Sequence, residues 1–129
     1  MSQFTNYLEE KVLDHVFRNT SYTSPSTVYL ALYSAAPTES TGGTELAVAD
    51  GYARQAIAFD AYSAGVCPSS ADETFTNTGS TWATVVALAI TDASSGGNIL
   101  AYRELSSSIT VGAGGSVTFA AGKIKVGLD

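Results

Sequence analysis

The stretch Trp82-Ala83-Thr84-Val85-Val86-Ala87-Leu88-Ala89-Ile90-Thr91 decides the fold class of this 129-residue chain. With the two-residue period of an extended chain, Val86, Leu88 and Ile90 share one face, and Val85, Ala87 and Ala89 the other. Both faces are apolar, as in a central strand covered on two sides. The small alanines on one face predict a close approach by a helix or by another sheet. At strand length, this longest apolar run is far short of the ~18 residues a membrane span needs.

Outward from that strand, period two recurs. In Thr27-Val28-Tyr29-Leu30-Ala31-Leu32-Tyr33, the residues Val28, Leu30 and Leu32 oppose Thr27, Tyr29 and Tyr33. Tyr52 to Phe59 places Ile57 and Phe59 opposite Arg54, and a short strand is expected around Phe75 between Glu73 and Asn77. Ser34 to Asp50, with Pro37, Gly42 and Gly43, reads as a long surface loop, and Tyr62 to Ser70 as irregular. On the C-terminal side, a turn at Asp92 to Gly97 precedes a strand from Asn98 to Leu105. Ile109 to Val111, Ser116 to Phe119 and Lys123 to Leu128 follow, separated by glycine turns at 112–115 and 122. About eight short strands at intervals near ten residues predict a sandwich or barrel. The expected fold is mainly β: a single-domain, jelly-roll-like antiparallel β-sandwich over residues 1–129 with one N-terminal α-helix.

That helix is expected over residues 3 to about 18. Phe4, Leu8, Val12 and Val16 recur at spacing four, and Leu13 and Phe17 widen the stripe. Glu10, Asp14 and Arg18 form a polar sector, with Asp14 and Arg18 spaced for an i,i+4 ion pair. Ser2 or Thr5 is placed to cap the start. A stripe this broad needs a partner: the expectation is one face of the chain's own sheet, with an inter-subunit contact as the alternative.

Composition narrows the function. The chain is 45% hydrophobic and 14% charged, against a usual charged share of about 25%, which argues against disorder. A net charge of −6 with only six basic residues argues against sequence-independent binding of nucleic acid, which needs Lys and Arg to neutralise phosphates. Cys67 is the sole cysteine, so no intrachain disulfide forms. Phe4 to Arg18 carries charges throughout and does not resemble a signal peptide. A soluble protein made in a reducing cytoplasm is expected.

Candidate chemistry is sparse. His15, the sole histidine, sits on the helix with no second histidine or cysteine to share a metal, and no serine stands in a nucleophile-elbow context. Cys67 lies in a Gly/Pro/Ser segment and reads as a structural thiol. Asp72 and Glu73 point to opposite faces at a strand start, unlike carboxylates paired across a cleft. Asp92, Ser94 and Asn98 offer oxygens to calcium, but a plain Asx turn explains them. The glycine pairs precede no helix and no Gly-Lys-Ser/Thr, so they are turns and not phosphate cradles. Seven tyrosines and Trp82 suit core and interface anchors better than a sugar platform. No catalytic residue, metal ligand, cofactor-binding residue or cofactor is expected.

Several segments in order resemble a family of short tailed-bacteriophage proteins. They are Phe4-Thr5-Asn6-Tyr7-Leu8-Glu9-Glu10-Lys11-Val12-Leu13-Asp14-His15-Val16-Phe17, then Thr27 to Tyr33, then Ala36-Pro37-Thr38-Glu39 and Gly51-Tyr52-Ala53-Arg54-Gln55. Trp82-Ala83-Thr84-Val85, Ala89-Ile90-Thr91-Asp92, Gly97-Asn98-Ile99-Leu100-Ala101-Tyr102 and Phe119-Ala120-Ala121-Gly122 continue it. Members are often labelled tail-fibre proteins. In size and expected shape they are also similar to the cement or decoration proteins on tailed-phage capsids, including those of cyanophages. The resemblance implies a structural virion protein and no enzyme. The leading expectation is a homotrimeric cement protein on the outer capsid surface, clamping neighbouring capsomers of the major capsid protein. It would be synthesised in the bacterial host cytoplasm and would bind neither nucleic acid nor membrane. The alternative is a tail or tail-fibre component with a host-binding role. Contacts are expected from the helix or the 34–50 loop, with Phe4, Tyr7, Leu8, Tyr29, Tyr33 and Pro37 as candidate interface residues.

Overall fold

The computed structural model describes residues 3–128. In chain order they form β1 (Gln3–Phe4), α1 (Asn6–Phe17), β2 (Val28–Ala35), β3 (Thr44–Glu45), β4 (Gln55–Ile57) and β5 (Val66–Pro68). Then come β6 (Glu73–Thr76), β7 (Val85–Thr91), β8 (Ile99–Ile109), β9 (Ser116–Phe119) and β10 (Lys125–Gly127). The protein is mainly β and antiparallel, with one helix, as a β-sandwich requires.

One sheet runs β1-β8-β7-β2, and the far edge of β2 is divided between β3 and β4. Two ribbons, β5–β10 and β6–β9, supply the opposing layer. The side-chain alternation expected from the sequence sets the register. Leu30 pairs with Ile90 and Leu32 with Leu88, and this face meets Tyr52, Phe75, Trp82 and Val111 in the main core. On the other face Ala31 pairs with Ala89, Tyr33 with Ala87 and Ala89 with Tyr102. The alanines there pack with Tyr33 and Tyr102 in a second, smaller cluster, so the close neighbours of the small side chains are tyrosines of the same sheet.

Three segments differ from the sequence reading. The expected strands at 98–105 and 109–111 are largely one long strand, β8, because an irregularity between Val85 and Ala87 lets β7 stay paired as far as Ile109. The irregular 62–70 segment contains β5, whose three residues pair with β10. The 34–50 loop folds back as β3, and Leu46 enters the core. Gly43 makes that return possible: its φ is +64°, and a Cβ there would press on the backbone of Ala35 to Pro37. Gly43→Ala is expected to cost at least about 1–2 kcal/mol from the left-handed backbone alone, read as a lower urea midpoint. An unchanged midpoint would show that the hairpin adjusts.

The helix also differs. It starts at Asn6, because Gln3 and Phe4 are used in pairing with Tyr102 and Ala101 of β8. Thr5 is the N-cap and accepts a hydrogen bond from the Leu8 N–H at 3.4 Å. Its own hydroxyl donates to the Ile99 carbonyl at 2.6 Å, which pins the first turn to the sheet. Ser2, the other expected cap, lies outside the described residues. The Asp14–Arg18 pair forms at 3.2 Å. The expectation that the stripe covers the chain's own sheet is corrected: Tyr7 and Leu8 touch the core, but no residue of α1 is buried. Leu13, Val16 and Phe17 are 55%, 62% and 77% exposed.

Candidate interaction surface

The most elaborate polar arrangement sits where β3, β4 and β7 converge. Because β3 and β4 divide one edge of β2, the Leu32 N–H between them lacks a strand partner and donates to the Tyr52 hydroxyl at 3.0 Å. That hydroxyl donates to Glu45 Oε2 at 2.6 Å. Arg54 grips the same carboxylate with both arms, Nε to Oε2 at 2.9 Å and Nη2 to Oε1 at 2.8 Å. Its remaining Nη1 donates to Thr91 Oγ1 and to the carbonyls of Ala93 and Gly96. Thus one guanidinium ties β3, the end of β7 and the 92–97 turn together.

Electrostatics follow from this enclosure. Burial pushes the Glu45 carboxyl up, but hydrogen bonds from Arg54 and Tyr52 outweigh it and hold it below its ordinary value. Burial and then the Glu45 hydrogen bond push the Tyr52 phenol far above its usual range. A carboxylate held low stabilises the fold above its unfolded pKa of about 4.3, and the contribution is lost as pH falls through the folded value. Stability should therefore drop below about pH 4. The drop should be shallower in Glu45→Gln, as followed by thermal unfolding at stepped pH; equal slopes would remove Glu45 as its source.

This network is internally satisfied. Among the described residues no buried side-chain nitrogen or oxygen lacks a hydrogen-bond partner. The other candidates for chemistry are dispersed. His15 is exposed, and its Nδ1 accepts from the Tyr22 N–H at 3.2 Å. Cys67 is half-buried in β5 opposite Val126. Asp72 is exposed and accepts from the Ala121 N–H at 2.8 Å, while burial pushes the Glu73 carboxyl up. Asp92 receives both the backbone and the side-chain N–H of Asn98, at 2.7 and 3.0 Å, closing the turn. No cluster of three or more His, Cys, Asp or Glu side chains that suits a metal occurs among the described residues.

The six candidate interface residues differ in exposure. Tyr33 is 3% exposed and Pro37 is buried, so both spend their surface inside this chain. Phe4, Tyr7, Leu8 and Tyr29 are half-buried. Apolar surface left open lies further along α1, at Leu13, Val16 and Phe17, and singly elsewhere at Val48, Tyr62 and Leu128. Sequence reasoning saw that stripe and assigned it a partner within the chain. The Arg54 network it missed; the available signal was Arg54 as the one charged residue in the run from Tyr52 to Phe59.

A family model described as podophage GP4 fiber I protein gp80 matches residues 3–127. The chain belongs to this family. The match spans β1 through β10, so the helical arm and both sandwich layers belong to the shared unit. The protein is thus a phage virion protein of a family labelled as fibre. No curated protein matches the chain. In this gp80 family member, the buried polar side chains are satisfied within the fold, and the exposed apolar residues of α1 are open to a partner.

Proposed function

We propose that the protein is a non-catalytic structural component of the virion fibre apparatus, acting through the surfaces it offers to neighbouring proteins. The observation that carries this reading is the fibre-family match over residues 3–127. The closed polar network and the exposed apolar helix support it, because binding by shape and burial requires no reactive group. A host-binding role at a fibre tip or adaptor falls under the same reading.

A second reading is favoured by one observation: the chain has no repeat or heptad run from which a fibre shaft is built. On that reading the protein is a capsid cement protein, set as a homotrimer on the outer surface of the head. It would clamp capsomers of the major capsid protein and stabilise the DNA-filled shell. Modest contacts repeated by symmetry give large avidity.

Immunogold labelling or cryo-electron microscopy of intact particles distinguishes them. Density restricted to the tail supports the fibre reading. Copies spread over the icosahedral shell overturn it in favour of cement. In the cement case, particles lacking the protein should release DNA at a lower temperature. Absence of the protein from purified particles would sink both.

A further inference from the structure

Two surfaces of this chain complement each other in charge and in apolar character. The first is the outer face of α1. Glu9, Leu13 and Val16 lie at i, i+4 and i+7, with Glu10 and Phe17 beside them seven residues apart, so the five share one face. All five are exposed. Lys11 and Arg18, the helix's two cations, stand seven residues apart on another side. The face is therefore an acidic first half followed by an apolar second half.

The second surface is a crevice of about 310 Å³ between the core-side face of β7 and β8 and the C-terminal segment from Phe119 to Val126. Leu88, Ile90, Leu105, Phe119, Ile124 and Val126 provide its apolar lining. Arg103, Lys123 and Lys125 also line it, and all three are exposed. Three of the chain's six basic residues thus meet at one apolar opening, in a protein of net charge −6. No residue of α1 lines this crevice.

We propose that α1 of one copy seats its Leu13–Val16–Phe17 face in the crevice of a second copy, with Glu9 and Glu10 against Arg103 and Lys123. This is helix-in-groove recognition, in which an amphipathic helix anchors through apolar residues one and two turns apart. Charge sets the direction: the acidic face of the helix suits the basic opening and would be repelled by another acidic surface. The contact is head-to-tail, since each copy gives a helix and receives one. Such contacts close into a ring or continue as a filament, according to the rotation they impose. The inference holds wherever on the particle the protein sits.

The test uses the full chain and light scattering or sedimentation equilibrium at the highest soluble concentration. The wild-type protein should be an oligomer. Phe17→Asp, and separately the pair Arg103→Glu with Lys123→Glu, should each weaken self-association roughly 30-fold or more and give monomers with unchanged circular dichroism. All three positions are exposed, so the fold does not depend on them. Mixing the two variants is the decisive measurement. One intact crevice and one intact helix remain, so a 1:1 dimer and nothing larger should form. A monomeric wild type, variants that keep the wild-type mass, or a mixture that stays monomeric would each overturn the proposal.

Discussion

Replacing Arg54 with methionine is expected to lower the free energy of unfolding by about 3–5 kcal/mol, the range for removing one partner of a buried pair. The Arg54 side chain is only 9% exposed and that of Glu45 21%. Methionine fills much of the same volume but offers no donor. Glu45 would then keep only the Tyr52 hydroxyl, while the Ala93 and Gly96 carbonyls would lose the guanidinium that holds the turn after β7. The double variant Glu45→Leu with Arg54→Met should recover most of the loss, because an apolar pair in place of a buried ion pair is often close to neutral. Urea titrations of the wild type, the single and the double variant measure both effects. A single-variant loss below about 1 kcal/mol, the worth of an exposed pair, would show that solvent already carries the load.

The contrast between that network and the sheet shows which levels of structure the residue pattern encodes. Period two is a local property, so the faces of β2 and most of β7 were legible: Leu30, Leu32, Leu88 and Ile90 alternate because the pleat does. The irregularity between Val85 and Ala87, by contrast, puts Val85 in the main core and Val86 on the alanine face, the reverse of the period-two expectation. The Glu45–Arg54 pair depends on how β3 and β4 divide one edge of β2, and no local pattern states that. β3 itself is two residues long, too short to display any period. The helix was legible as amphipathic from Phe4 to Phe17, yet an apolar stripe states only that a partner is needed. Only tertiary structure shows that the first turn is pinned at Thr5 and that Leu13, Val16 and Phe17 stay open. The shortage of reactive groups was legible because it rests on residue counts: one histidine and one cysteine give little with which to build a triad or a metal site.

Phe75→Ala should be about as damaging, costing about 3–5 kcal/mol by the usual loss of transfer energy plus the cavity left behind. Phe75 is 1% exposed. Its ring stacks at 6.1 Å on Tyr52, and Phe119 meets it edge-on at 6.2 Å. The position matters because β6 pairs only with β9, and a two-stranded ribbon is marginal in water by itself. Docking on the sheet stabilises the ribbon, and Phe75 is its one fully buried apolar side chain. Removing that ring should thus loosen β6 and β9 before the main sheet fails. Hydrogen exchange tests the order: amides of β6 and β9 should lose more protection in Phe75→Ala than those of β2 and β7, which fall only with global stability. Thr74→Ala, on the exposed side of the same strand, removes only the 2.9 Å hydroxyl pair with Thr118 and should cost less than about 1 kcal/mol. If the two variants lost equal stability, or if protection fell evenly across both layers, the ribbon would be bound to the sheet by something other than the buried ring.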